Sequence, residues 1–331
     1  MGAGGGAVDE GEIAAPVAMT TIASGAGRAR VGLPDFVIAG AQKAASTMIQ
    51  EVLREHPQVE MPAREIYDFA DPNYSPGVAD AMRARFGDER ASRRGFKAAS
   101  YLGQPEVAPR LAADLGTVDV VLVLRDPVRR AISAWFWYMR LGRVPVLPVD
   151  VAFGQLLGPG LGGPARAHGR QILEWGLYGR HLRHWLTCFP RERIHVVLDI
   201  DLRRDADGTI RSLYDALRLD PSFVPTAHRH PVNAGVYAYH RVRWQRLRLR
   251  CVEPDDDGVR RLRRPESTAG RIANRVLVST DRRVLSRLDR SDPPTPAPAI
   301  EHALRTYYRA DTLGLQQLLG VDLSPWLSPS T

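Results

Sequence analysis

Seven residues, Val118-Asp-Val-Val-Leu-Val-Leu124, constrain this chain more than any other stretch. Six of the seven are apolar and four are β-branched valines, so the run reads as a strand. A strand apolar on both faces belongs in the middle of a parallel sheet covered by helices on either side. The residues that follow fit that placement. Arg125-Asp126-Pro127 offers Asp126 as an N-cap and Pro127 as the first helical residue, and the helix is expected to run to about Arg140.

The same grammar appears earlier. Phe36-Val-Ile-Ala39, between Pro34 and Gly40, reads as a buried strand. Gly40 to Ala45 is a turn, and Ser46–Glu55 has Met48, Ile49, Val52 and Leu53 at helical spacing before His56-Pro57 stops it. Further strands are expected at Gly95–Ala99 and Ile194–Leu198. Helices are expected at Pro105–Leu115, Val151–Leu157, over 171–188 as one amphipathic segment, and over 208–218. Alternating strands and helices imply an α/β fold with a doubly wound, mostly parallel sheet flanked by helices. Ligands in such sheets bind beyond the carboxyl ends of the strands.

Residues 1–31, rich in Gly, Ala and Ser, read as a disordered tail without the order of a signal peptide, and Met19 is an alternative start. A single domain is expected over 32–331. It has a core at 34–235, an Arg-rich helical segment at 236–290 with a turn at Asp255–Gly258, a stiff Pro-rich linker at 291–299 and C-terminal helices at 300–331. The formal net charge is +8, which favours anionic ligands. Two cysteines, Cys188 and Cys251, offer neither a disulfide framework nor a metal quartet, and a reducing, cytoplasmic setting is expected. No apolar run has membrane-spanning length; membrane association is allowed by the sequence but not required.

Of forty-five Lys and Arg residues only Lys43 and Lys97 are lysine, and each begins a Lys-Ala-Ala-Ser tetrapeptide. Lysine is a compact charge on a flexible stem, whereas arginine is a planar fork. Three constellations surround these lysines. Gly40–Thr47 is either a phosphate cradle, with Lys43, Ser46 and Thr47 beside free N–H groups, or an ordinary strand–helix turn. It lacks the Gly-Lys-[Ser/Thr] ending of a Walker A loop. Asp126, Arg130 and Ser133 share one helix face, so Arg125 and Ser133 either clamp a second phosphate or serve a face in which Arg130 pairs with an acid such as Asp126. Glu65 and Asp68 are candidate bases, or solvated loop charges; for Asp68 the solvated reading is preferred.

Taken in order, these motifs resemble the sulfotransferases that use 3′-phosphoadenosine 5′-phosphosulfate (PAPS), and most of all the branch of heparan sulfate O- and N-sulfotransferases and their bacterial relatives. The likeness runs over about Pro34–Gly235, with a weaker echo in Tyr307–Trp326. Its carriers are Lys43-Ala44-Ala45-Ser46-Thr47 followed by His56-Pro57, Leu124-Arg125-Asp126-Pro127 with Arg130 and Ser133, Arg64-Glu65-Ile66-Tyr67-Asp68-Phe69, and residues 176–190.

The resemblance implies a P-loop-like fold. It also implies that Lys43, Ala44, Ala45, Ser46 and Thr47 hold the 5′-phosphosulfate and that Arg125 and Ser133 hold the 3′-phosphate. Glu65 is the implied base, Lys97 lines the same pocket, and no metal takes part. The implied acceptor is a hydroxyl, or second an amine, of a glycan, glycolipid or other metabolite. The chain departs from the family where two loop glycines are Ala44 and Ala45, where Tyr67 and Asp68 replace His and Phe, and where the Arg-rich segment replaces a paired-cysteine and Lys-Gly-Arg region. The alternatives are a nucleotide kinase or other NTPase on a similar sheet, and a polyanion-binding module built on Arg241–Arg250. Nucleic acid is not the expected partner, and the oligomeric state is left open.

Overall fold

Asp119–Leu124 forms β4, and all six of its residues are buried. In the computed structural model, which describes residues 32–87, 91–229, 235–250, 267–288 and 292–328, β4 lies between β1 (Phe36–Gly40) and β5 (Ile194–Leu198), parallel to both. The other edge of β1 pairs with β3 (Arg93–Lys97), and β3 pairs with the two-residue β2 (Val59–Glu60). The order is β2-β3-β1-β4-β5, with every pairing parallel. The chain fills one side of β1 first and then crosses to the other for β4. A crevice therefore opens beyond the carboxyl ends of β1 and β4.

The pleat explains the apolar run. Val120, Leu122 and Leu124 point into one core with α3 (Val107–Leu115), α7 (Tyr178–Leu186) and α2 (Val78–Arg83). Val121 and Val123 point into a second core with α1 (Ser46–Glu55) and α9 (Ala206–Ala216), which follows the short α8 (Asp199–Arg204). Helices on both faces make this the expected doubly wound α/β fold. Gly95 is required where β3 passes β1, because a Cβ there would run into the Phe36 ring.

A third apolar cluster joins α4 (Pro127–Arg140), α5 (Val149–Leu157), α6 (Ala165–Glu174), α10 (Tyr239–Arg246) and α13 (Pro298–Leu319). Against α10 lies α11 (Thr268–Thr280), which continues through a wide turn at Asp281–Leu285 into α12 (Ser286–Leu288). The Arg-rich region is thus helical where it is described. No helix among the described residues is long and apolar enough to cross a membrane. The tail expected over 1–31, the Met19 start and the Asp255–Gly258 turn lie outside the described residues.

Three expectations need correction. The segment 171–188 is not one helix: α6 ends at Glu174 and α7 begins at Tyr178. Asp311 of α13 supplies the break, accepting the Gly179 and Arg180 N–H groups at 2.8 and 2.7 Å and so capping a new helix from a distant part of the chain. The strand expected at Gly95–Ala99 begins two residues earlier, at Arg93, where it pairs with β2. The Pro-rich stretch is shorter than 291–299 because Pro298 already sits in the first turn of α13.

Candidate active site

The loop after β1 is built around two residues of left-handed backbone, Lys43 (φ 70°) and Ala45 (φ 71°). Ala45 is the N-cap of α1 and has no side chain with which to cap it. The first N–H groups of the helix are therefore left for a ligand or water, and they carry the positive end of the helix dipole. Of the adjacent alanines Ala44 and Ala45, only Ala45 takes the left-handed conformation, at a cost of about 1–2 kcal/mol. Ala44 is fully buried with ordinary backbone.

Lys97 ends β3, and because Ile38 pairs with Lys97 in the sheet, its side chain reaches the same loop. It is 1% exposed. Its Nζ donates to Thr47 Oγ1 at 2.8 Å and lies 3.1 Å from Glu65 Oε1. Glu65 comes from a segment running beside β3, where Ile66 N donates to the Lys97 carbonyl at 2.9 Å. Its other oxygen accepts from the Tyr67 hydroxyl and, at 3.4 Å, from Ala99 N. A buried ammonium thus joins a hydroxyl of the β1–α1 loop to a carboxylate that is a quarter exposed to the cleft.

Arg125 and Ser133 enter from the next strand–helix unit. Arg125 follows β4, with Nε 3.4 Å from Asp199 Oδ2 but buried and without a hydrogen-bond partner. Ser133 lies two turns along α4, and its Oγ accepts from the Tyr237 hydroxyl at 3.3 Å. All the expected cofactor and catalytic residues except Ala44 line one cleft of about 570 Å³. Opposite the loop stands Trp137. Lys43 Nζ lies 5.0 Å from its ring centroid, and Arg140 Cζ lies 5.3 Å from the same centroid. Desolvation, then the charges of Arg140 and Arg125, pull the Lys43 ammonium down from 10.5 to about 8, with Glu65 opposing. Arg140 is pulled to about 10, again mainly by desolvation. Two cations on one indole, with a third at the strand end, form a site short of negative charge.

The sulfotransferase domain model matches residues 33–230, more than half of the chain. The chain belongs to the sulfotransferase domain family. Human heparan sulfate glucosamine 3-O-sulfotransferase 6 is 32% identical over 202 residues, covering 60% of this chain and 55% of that protein. Human bifunctional heparan sulfate N-deacetylase/N-sulfotransferase 2 is 31% identical over 199 residues, covering 57% of this chain and 22% of that protein. The chain therefore spans about half the length of the first and about a fifth of the second. Among solved structures, a sulfotransferase from Alicyclobacillus acidocaldarius superimposes with a TM-score of 0.60 at 20% identity, covering 89% of this chain and 99% of that one. That likeness speaks to the fold.

Within this sulfotransferase domain some motif residues serve elsewhere. Arg130, which shares a helical spacing with Asp126 and Ser133, is fully buried, does not line the cleft and donates to the Ile172 carbonyl. Asp126 caps α4 through Val128 N (2.8 Å) and Arg129 N (3.3 Å), and its second oxygen takes Arg305 Nη1 at 2.8 Å. Asp68 does not line the cleft and pairs with Arg85 at 2.6 Å. Trp137, Arg140, Tyr67 and Tyr237 line the cleft but are not named by the motifs as site residues. Trp137 and Arg140 follow Ser133 by four and seven, a spacing that puts all three on one face, so a signal for them was present. Tyr237 carries no such signal, because its place is set by packing against Phe136. In the Arg241–Arg250 stretch Trp244 Nε1 donates to the Leu277 carbonyl at 3.1 Å and Arg241 pairs with Asp281 at 2.8 Å, so these two face α11. Among the described residues no group of three or more His, Cys, Asp or Glu side chains converges as metal ligands.

Proposed function

We propose that the chain moves a sulfuryl group from PAPS to a hydroxyl of a glycan, glycolipid or other metabolite, with an amine as the second choice of acceptor. The observation that carries this reading is Lys97, which touches Thr47 on the donor side and Glu65 on the acceptor side. Family membership and the heparan sulfate relatives named above support it. When bound, PAPS supplies a sulfuryl group activated by its link to phosphate.

The residues fit such a ligand. The uncapped start of α1, the Ser46 and Thr47 hydroxyls and Lys43 hold the phosphosulfate end. Arg125, with a buried Nε lacking a hydrogen-bond partner, and Ser133 hold the 3′-phosphate. Lys43 offsets the charge that grows on the leaving oxygen, and its depressed pKa is the mark of a cation waiting for an anion. Glu65 removes the proton of the acceptor hydroxyl. The neighbouring Lys97 ammonium, 3.1 Å away, and the Tyr67 hydroxyl fix its orientation. Catalysis by this set is positioning and electrostatics.

The test is mass spectrometry of glycan, glycolipid and small hydroxyl acceptors after incubation of the full chain with PAPS. The expected result is a gain of one sulfo group that disappears with Glu65→Gln. Failure of PAPS and of 3′-phosphoadenosine 5′-phosphate to raise the melting temperature would remove the basis for the reading.

A further inference from the structure

The rotation of α11 about its own axis is set by polar contacts on one side. Trp244 Nε1 holds the Leu277 carbonyl, and Arg248 Nε donates to Asn274 Oδ1 at 2.9 Å. At the end of α11, Asp281 takes Arg241 Nε and Gln245 Nε2, each at 2.8 Å. These contacts turn Asn274, Leu277 and Asp281 toward α10 and leave the opposite face outward. That outward face is not polar. Ile272 is 60% exposed, Val276 one turn later 56%, and Val284 within the wide turn 49%. Around them stand five exposed arginines, Arg271, Arg275, Arg282, Arg283 and Arg287. Within 267–288 the one acid is Asp281, which is buried against Arg241.

We infer that this outer face of α11 and α12 is a docking surface for a lipid bilayer bearing anionic headgroups. An aliphatic stripe set among arginines, with no exposed acid, is what an interfacial helix presents: the aliphatics enter the acyl boundary while the guanidinium groups stay at the phosphates. The charge complementarity is one-sided and strong, and each arginine near an anionic surface adds to the attraction. A single-stranded nucleic acid would want aromatic rings for stacking, and the apolar side chains of this face are all aliphatic.

The surface also connects to the candidate active site through α10, which packs on both α11 and α4. Arg140, which lines the cleft, feels the charges of Asp281, Arg241 and Arg248, the residues that hold α10 against α11. A docked domain would work next to the headgroup layer. The consequence that the acceptor is a membrane-borne hydroxyl rests on the proposed function; the docking itself does not.

The experiment is sedimentation of the full chain with phosphatidylcholine vesicles, with and without phosphatidylglycerol, at about 0.1 M salt. Neither donor nor acceptor is present, so the result is independent of sulfuryl transfer. Binding is expected to the mixed vesicles alone. Arg275→Glu with Arg283→Glu should weaken it by at least about tenfold. Ile272→Ser with Val276→Ser, which leaves charge unchanged, should weaken it by a similar factor. All four side chains are exposed, so melting temperatures should match the parent chain, and that is the control. Absence of binding to mixed vesicles overturns the inference, as does parent-like binding by the serine variant. Preferential binding of a single-stranded oligonucleotide, unaffected by the serine changes, would also overturn it and assign the face to nucleic acid.

Discussion

Lys43 stands among Arg140, Arg125 and Lys97, and its pKa of about 8 makes donor binding depend on pH. An anion arriving beside it raises that pKa again, so binding above about pH 8 must take up a proton. Affinity for 3′-phosphoadenosine 5′-phosphate should be flat below that pH and fall above it by up to about tenfold per unit. Calorimetric titration across the range checks this. In Lys43→Arg the falling limb should vanish, because guanidinium keeps its proton. Turnover should nonetheless drop by roughly a hundredfold, about 2.7 kcal/mol of transition-state stabilisation, since the fork must share the Trp137 ring with Arg140. Wild-type turnover in that variant would make the pattern of two lysines an accident of composition. The neighbouring carboxylates separate in the same way. Glu65→Gln should remove nearly all transfer while donor affinity stays near normal. Asp68→Asn should cost no more than about 1 kcal/mol in stability and change turnover little, because Asp68 is engaged with Arg85 away from the cleft. Steady-state kinetics of the pair decides, and the reverse ranking would make Asp68 the base.

At the scale of elements, the C-terminal helix is fastened to the unit that carries Arg125 and Ser133. Arg305 of α13, 6% exposed, donates to Asp126 at the start of α4 and to the Trp326 carbonyl, both at 2.8 Å, and to Glu301 at 3.2 Å. Removing the guanidinium leaves two buried carboxylates and a carbonyl short of a donor. Arg305→Met should therefore cost about 3–5 kcal/mol in denaturant unfolding, far more than a surface pair would. A cost below about 1 kcal/mol would mean that α13 is not held by this contact. Asp311 does the matching work six residues on, where it caps α7.

At the scale of the whole molecule, the end of the sheet away from the cleft is tied by one buried acid. Asp119 at the start of β4 is fully buried and meets Arg93 at 2.5 Å, His195 at 3.1 Å, and Arg193 and Arg218 at 3.4 Å. Burial alone would raise its carboxyl, but the hydrogen bonds and charges of His195 and Arg93 win and hold it at about 2, below the ordinary 3.8. A depressed folded-state pKa contributes stability above about pH 3.8 and loses it as pH falls toward about 2. The contribution is roughly 2 kcal/mol. Acid unfolding of the parent should show that loss, and Asp119→Asn should lack it while being less stable at neutral pH. An unchanged acid profile in the variant would move the acid sensitivity to other carboxylates.

Much of this was legible in residue order because the signals are local. The apolar run of β4, the Asp126 cap with Pro127, and the strand–loop–helix at 36–55 each depend on residues within a few positions, and each stands where periodicity and capping place it. The gathering of Lys43, Thr47, Glu65, Lys97, Arg125 and Ser133 at one cleft follows from parallel strands whose carboxyl ends point the same way. Partner choice among charges was not local. Asp126 has Arg130 four residues on, yet packing carries Arg130 into the interior and gives Asp126 to Arg305, 179 residues away. Likewise 171–188 has helical periodicity throughout, but Tyr308 lies across Gly176 and Asp311 caps Gly179, so two helices form. Local sequence determined which segments become strands and helices, because hydrophobic period and caps act over one or two turns. Tertiary structure decided which buried ions meet and where a helix ends, because a desolvated charge takes the partner that packing brings to it.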